Sequence, residues 1–507
     1  MSDTINRRGF LAGAGASGLA LLAGCGGANA SATTSAAART IRRRMLAARV
    51  PAKLSEAIRG RVIYQGQSGF AAASHVYNER FDFVVPSAVA RPVSTNDVSA
   101  AINWCVAKGV PLRARSGGHS YAGYSVLSKG VVLDLRNLHG IAVDKSAGTA
   151  TIGAGAQLID VYTALAAHGA TIPAGSCPSV CVGGHALGGG MGLAGRNFGL
   201  ASDHIVGARI VTADGKIHNV SAHSDPDLLW ALKGGGGGNF GVVTELTMKL
   251  QKIPSTASYF FVNWPWSSAS EALEAWLQWA PHTRQQISSI FHLNGSSGGG
   301  SPSLSVDGQY FGSQSDLAGL LGPLRASGGS ISTGTLGYQA LQQLWAGCAH
   351  QSLTSCHTEG TRSGGTLQRE SFNAKSDYVS KQFPAAARNV LISAAESRGS
   401  QPGSGAILFD SYGGAINRVA PDATAFVHRN DLACIQYLSY NGGGSWLSDT
   451  WQRMRPYVSG MAYQNYIDSA QPNWQKAYYG SNYPRLESLR KTVDPHHFFN
   501  FPQAIGR

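Results

Sequence analysis

The 507-residue chain is poor in charge: Asp, Glu, Lys and Arg together make up 14% of it, while apolar residues make up 43%. That balance excludes a disordered chain, which needs high charge and few apolar residues. Acidic residues are the scarcer sign, 28 against 41 basic, giving +13. The excess is local. Residues 1–61 carry ten Lys and Arg against Asp3 and Glu56, so only +5 falls on the other 446 residues. A solvated basic leader therefore explains the charge better than a nucleic-acid surface does. There is no internal repeat, and the 64 glycines cluster without a period, which excludes a fibrous protein. No Gly-Lys-Ser/Thr closes a glycine loop, so there is no Walker A site, and no loop has Rossmann spacing after a first strand.

Long apolar runs are also missing. The run after Asn6-Arg7-Arg8-Gly9-Phe10-Leu11 stops at Ala23, too short for a membrane span. Paired arginines before such a run resemble a twin-arginine export signal, and Leu22-Ala23-Gly24-Cys25 resembles a lipoprotein cleavage box. Residues 1–30 therefore read as a leader, with Cys25 as a candidate lipid anchor, and 31–54 as a linker. The expected location is extracellular or at the cell surface. Export permits disulfides. Of the six other cysteines, Cys348 and Cys356 stand eight apart in a polar stretch and are candidates to pair.

From 55 to 252 short strands and helices alternate with glycine loops. Thr95 to Lys108 reads as a helix stopped by Gly109, and Val110 to Arg115 as a strand. His204 to Ser221 reads as a hairpin turning at Asp214-Gly215, and Val242 to Leu250 as a further strand. After Pro254 the glycine loops thin out, and aromatic strands alternate with helices such as Ala269 to Ala280. This divides the chain into a first domain from 55–252 plus 456–507, and a second from 253–455.

Two glycine loops carry nucleophiles. One is Arg115-Ser116-Gly117-Gly118-His119-Ser120-Tyr121. The other runs Gly175-Ser176-Cys177-Pro178-Ser179-Val180-Cys181-Val182-Gly183-Gly184-His185, then Gly188-Gly189-Gly190-Met191-Gly192. Adjacent glycines let backbone N–H groups close on an anion such as a pyrophosphate. Zinc is not expected. Cys177 and Cys181 sit among glycines, with no His pair at metal spacing beside them.

With these loops stand Ala90-Arg91-Pro92, Asp134-Leu135, Gly199-Leu200-Ala201-Ser202-Asp203, Thr212-Ala213-Asp214-Gly215 and Asn239-Phe240-Gly241-Val242-Val243. Tyr463-Gln464-Asn465-Tyr466 and Tyr479-Gly480-Ser481-Asn482-Tyr483 follow near the C-terminus. In this order the motifs resemble the berberine bridge enzyme-like family of FAD-linked oxidases, in the vanillyl-alcohol oxidase, or PCMH-type, FAD-binding fold. The resemblance implies an α+β protein: an FAD-binding domain, and a substrate domain whose antiparallel sheet is covered by helices on one face.

It also implies FAD attached twice, through His119 to the 8α-methyl group and Cys177 to C6. An oxidised isoalloxazine is an electrophile, and a neutral imidazole or a thiolate is a nucleophile. Cys181 stands where the family has glycine and competes as the flavin thiol; Cys177 is preferred because Pro-Ser-Val follows it. The cofactor-binding set expected from the resemblance is Arg115, Ser116, Gly117, Gly118, Ser120, Val180, Gly183, Gly184, His185, Gly188, Gly189, Gly192, Val243 and Asn465.

The same resemblance places the catalytic base at Tyr466, with a nearby cation or donor needed to lower a phenol pKa of about 10. Tyr463 is the substitute, although strand alternation would turn it to the opposite face. Gln436 occupies a place where some members carry glutamate. A glutamine cannot accept a proton, so alcohol oxidation is favoured over ring-closing amine chemistry. Val180 matches a position that gates oxygen, and valine there implies O2 as acceptor and H2O2 as product. The expected substrate is an alcohol group of a sugar, oligosaccharide or glycosylated metabolite. The competing readings are a dehydrogenase with another acceptor, a non-sugar substrate, and a surface protein holding flavin without catalysis. Trp264, Trp266, Trp345 and Trp446 are candidates for an aromatic sugar platform or for core.

Overall fold

The computed structural model describes residues 51–295 and 300–507. The export and lipid-anchor readings, and most of the 31–54 linker, lie outside them.

The N-terminal part builds a four-stranded sheet in the order Arg61–Tyr64, Ala88–Arg91, Val131–Asp134, Leu112–Arg115. Between its parallel strands runs the Thr95–Lys108 helix. Ser94 caps it by accepting from the Asp97 N–H, and Gly109 ends it at φ 66°. A five-stranded antiparallel sheet follows, ordered Ile141–Asp144, Thr149–Gly153, Val242–Lys249, Ile205–Val211, Ile217–Ser221. The Thr212–Lys216 turn closes its hairpin through a backbone bond of 3.1 Å.

At Thr256 the chain enters a seven-stranded antiparallel sheet. Its order is Ser330–Gly337, Thr256–Trp264, Ser303–Tyr310, Ile287–Gly295, Ser404–Ser411, Ala433–Tyr440, Phe372–Val379. Helices Ala269–Trp279, Ala385–Arg398 and Trp446–Met454 cover one face. The sequence alternates to match. In Ser404–Ser411 the residues Gly405, Ile407, Phe409 and Ser411 are buried, while Ser404, Ala406, Leu408 and Asp410 are partly exposed. On the helix face Trp276, Phe291 and Phe409 are fully buried. Each such side chain contributes about 1.5–3 kcal/mol of burial. Trp264 and Trp446 belong to this core, and Trp266 packs at its edge. The architecture is α+β, with the seven-stranded sheet's other face turned toward the N-terminal part, where Gln436 bonds Tyr121.

The chain then returns. The Tyr483–Val493 helix packs on the Pro226–Leu232 helix, and the Ile505 N–H donates to Asn239 Oδ1 at 3.0 Å. The 346–371 segment also crosses back. It contains a Cys348–Cys356 disulfide, so the two candidate cysteines do pair. His357 Nε2 and Arg362 Nη1 hold Asp160 of the Leu158–Ala166 helix at 3.2 and 3.1 Å.

Candidate functional site

The first nucleophile loop leaves the Leu112–Arg115 strand at a buried charge cluster. Asp134 is fully buried and pairs with Arg115 at 3.0 Å, Arg136 at 2.7 Å and Arg91 at 3.4 Å. Burial alone would raise the Asp134 pKa, but the three guanidiniums hold it below the usual range. Arg115 Nη1 donates to the Ser74 and His75 carbonyls at 3.1 Å, and Nη2 to that of Ala73 at 2.5 Å. The Arg115 side chain thus gives both Nη groups to protein carbonyls and Asp134 and braces the loop, while its buried Nε has no hydrogen-bond partner among the described residues.

Beyond it, Gly118 turns at φ 74°, and its carbonyl accepts from the Tyr77 N–H at 3.0 Å. Ser120 Oγ accepts from the Tyr124 N–H at 3.1 Å. His119 stacks on the Tyr77 ring at 4.1 Å, and its Nε2 meets Ser179 Oγ at 3.1 Å. That contact joins the two nucleophile loops. Burial lowers the His119 pKa to about 3, so the imidazole is neutral at physiological pH.

In the second loop Cys177 is exposed. Cys181 is not. It is 3% exposed, its thiol donates to the Gly155 carbonyl at 3.2 Å, and burial pushes its pKa to about 12. The two cysteines are therefore chemically distinct: Cys177 is accessible, whereas Cys181 is a packed core thiol. Val180 lies between them, half-buried. His185 Nε2 accepts from the Gly175 N–H at 2.9 Å and so pins the approach to Cys177; burial lowers its pKa to about 4.

The glycines serve two purposes. A Cβ on Gly117 would lie 2.9 Å from the Cys181 nitrogen, one on Gly183 2.9 Å from Ser116 Oγ, one on Gly188 2.0 Å from Asn465 Oδ1, and one on Gly192 1.8 Å from the Ala174 carbonyl. Gly189, at φ 121°, would meet the Phe426 ring. These five pack protein on protein. Gly184 differs. It is exposed and a Cβ there meets nothing within 4 Å, while across from it Gly237 meets only the Gly184 Cα at 3.9 Å. Gly184 and Gly237 thus border an open slot walled by backbone. Val243 is 4% exposed in the main core opposite Ile210.

The C-terminal tyrosines pack against the second loop at Gly190 and Met191. Gln464–Tyr466 is a 3-10 helix, not a strand. With three residues per turn, positions i and i+3 share a side. Tyr463 and Tyr466 accordingly touch, ring centroids 4.8 Å apart, which corrects the alternation argument. The Tyr463 hydroxyl accepts from the Gly190 and Met191 N–H groups and from Asn465 Nδ2, at 2.9, 3.1 and 2.9 Å. Asn465 Nδ2 also donates to the His185 carbonyl at 2.9 Å. Tyr463 and Asn465 therefore clamp the second loop.

Tyr466 stacks on Tyr121 at 5.3 Å, and Tyr121 accepts a 2.6 Å bond from Gln436 Nε2. Gln436 is on the open face of the seven-stranded sheet, directly opposite Leu408 and Ser376. Burial raises the Tyr466 pKa well above 10, and Asp410, Tyr121, Cys434 and Tyr463 push the same way. The cation expected from the sequence is not among these influences; the charged neighbour is an acid, Asp410. Cys177 in turn acts on Tyr121, whose pKa is likewise raised, chiefly by burial. One corner thus gathers His119 and Tyr121 from the first loop, Cys177 from the second, Tyr466 from the C-terminal turn, and Gln436 and Asp410 from the sheet. Tyr121, Ser179, Tyr77 and Asp410 were not singled out from the sequence. Tyr121 had a usable signal, two residues after His119. Asp410 had only its place as a lone acid on the partly exposed side of an alternating strand.

A neutral imidazole, an exposed thiol and a backbone-walled slot fit an electrophilic, anion-bearing cofactor. Comparison with known proteins agrees. A family model for an FAD binding domain matches residues 86–221, and one described as berberine and berberine like matches 462–506. The chain is 32% identical to the uncharacterized FAD-linked oxidoreductase YvdP of Bacillus subtilis (strain 168), over 89% of this chain and 99% of that protein. The solved structure of Physcomitrella patens BBE-like 1 superposes with a TM-score of 0.82 at 31% identity, covering 89% of this chain and 98% of that one. A chitooligosaccharide oxidase superposes at 0.79 and 29% identity, covering 89% and 98%. The chain is an FAD-linked oxidoreductase and belongs to the berberine bridge enzyme-like family of FAD-linked oxidases.

Proposed function

We propose that the enzyme holds FAD through both His119 and Cys177 and oxidises a CH–OH group of a sugar, oligosaccharide or glycosylated metabolite, with O2 as acceptor and H2O2 as product. The observation that carries this reading is the shared corner of Cys177, Tyr121, Gln436 and Tyr466, beside His119. The similarity to a chitooligosaccharide oxidase supports the sugar class.

When bound, the flavin supplies the acceptor for the electron pair of the broken C–H bond. The protein does the rest. The neutral His119 and the accessible Cys177 are the attachment points, and the slot beside Gly184 and Gly237 takes the pyrophosphate on backbone N–H groups. Gln436 can orient but not deprotonate. Tyr466 receives the substrate hydroxyl proton. Burial and Asp410 both oppose a free phenolate, so the phenol's own proton must pass to an acceptor as the substrate's arrives, and Asp410, the acid that acts on Tyr466, is assigned that role in this reading. Valine at 180, the position that the family resemblance associates with oxygen access, supports O2 as acceptor. Export through Arg7-Arg8, with Cys25 as a lipid anchor, remains part of the proposal on sequence grounds.

The test is acid denaturation of wild type, His119→Ala, Cys177→Ala and the double variant, followed by assay of peroxide release on a sugar panel. Flavin that stays with wild type and both single variants, and leaves the double variant, supports two attachments. Flavin released from wild type overturns them. Substrate-dependent bleaching with dye reduction but no O2 uptake overturns the acceptor.

A further inference from the structure

The face of the seven-stranded sheet opposite its covering helices continues past the Tyr466 corner, where Ile290, Leu408 and Phe261 pack with Leu341 and Trp345 while His292 and Asp307 keep a small exposure. Residues directly opposed across antiparallel strands share a face. One row across the sheet reads Cys434, Asp410, Ile290, Asp307, Phe261. The next reads Gln436, Leu408, His292, Ser305. Asp307 is thus two strands from Asp410, and His292 two strands from Gln436, about 10 Å at the usual strand spacing.

His292 Nε2 bonds the Asp307 carboxylate, and the two side chains are 12% and 13% exposed. A largely buried polar pair in mid-sheet is costly where an apolar pair would pack as well. The reaction proposed above makes no use of it. Beside the carboxylate stands Phe261, half-buried, with Trp345 at 6.0 Å from its ring. Trp345 is fixed by donating its indole N–H to Gln309 at 2.9 Å. A carboxylate–imidazole pair can accept from and donate to adjacent hydroxyls, while an aromatic ring next to it covers the C–H face of a pyranose.

We propose that His292, Asp307 and Phe261 form a second sugar-ring subsite, so that the preferred substrate is a disaccharide or longer, with one ring at Tyr466 and the next on this pair. The inference rests on the sugar reading given above. It assigns to the sheet face a selectivity for chain length that the Tyr466 corner does not supply.

The experiment uses flavin-loaded wild type, Asp307→Asn and His292→Gln, with cellobiose, lactose, maltose and chitobiose and their constituent monosaccharides. It measures kcat/KM and, by calorimetry, disaccharide binding. Losing a hydrogen bond to a charged group is worth about 1.5–3 kcal/mol, so kcat/KM for the best disaccharide falls about 10- to 100-fold. Monosaccharide turnover and the flavin spectrum stay as in wild type. Equal losses on both sugar classes, or no loss on either, overturn the subsite, as does a wild type that binds no disaccharide. If wild type binds a disaccharide without oxidising it, the oxidase reading fails, and the subsite stands only if Asp307→Asn abolishes that binding. Should either variant lose its flavin, Phe261→Leu is the substitute, with the same selective loss expected.

Discussion

Asp134→Asn isolates the charge cluster that carries the His119 loop. The carboxylate is fully buried and faces three guanidiniums at 2.7 to 3.4 Å, one of them, Arg115, itself 1% exposed. Asparagine keeps the shape and one acceptor but removes the only anion among the three cations of this cluster. Breaking a buried pair in this way costs about 3–5 kcal/mol, because the remaining charge is left uncompensated. Against a total stability of about 5–15 kcal/mol that is a large share. Arg115 leads directly into Ser116-Gly117-Gly118-His119, so the loss should reach the site as well as the fold. Thermal melting followed by intrinsic fluorescence, with the fraction of acid-stable flavin measured in parallel, is the assay. The expected result is a clearly lower melting temperature together with less flavin retained. A variant within about 0.5 kcal/mol of wild type, the range of ordinary surface substitutions, would refute the argument that the cluster supports the loop.

Two further outcomes follow from the site and the core. Tyr466→Phe should keep its flavin and lose on the order of 10²–10⁴-fold in kcat, the usual contribution of a positioned base; Asp410→Asn should lower kcat less and move the pH–rate profile, and identical profiles in wild type and Asp410→Asn would separate Asp410 from the proton path. Burial lowers the pKa of His185 to about 4 and that of His428, whose Nε2 faces the Tyr478 carbonyl at 3.1 Å, to about 3. A depressed folded-state pKa means stability that is complete above the unfolded value of about 6.5 and declines as pH falls toward the folded values. Wild-type melting temperature should therefore drop between pH 6.5 and 4, and the drop should shrink in His428→Gln; an equal drop in both would show that His428 does not contribute.

Much of the site was legible locally. Glycine pairs beside His119 and Cys177 mark where backbone must approach something closely, and that constraint is written residue by residue. The strand alternation of Ser404–Ser411 and the capped helix ending at Gly109 were legible for the same reason, since period and caps are short-range. The Cys177–Cys181 choice needed burial, because both are thiols in one loop and only packing raises one of them to a pKa of about 12. That Arg115 braces its loop through Asp134 and the Ala73, Ser74 and His75 carbonyls was not legible, because a sequence does not show where a guanidinium places its donors. Tyr463 and Tyr466 were assigned to opposite faces by assuming a strand, and a single 3-10 turn reverses that conclusion.

By itself, then, the sequence determined the family, the FAD cofactor and the α+β fold class, because the ordered local motifs that carry the family resemblance are written residue by residue. Tertiary structure alone decided the partners: Asp410 and Gln436 beside Tyr466, His292 on Asp307, and Cys348 joined to Cys356. Most of these meetings join residues well over a helical turn apart in sequence, and strand order, which no local pattern encodes, sets which of the sheet residues share a face.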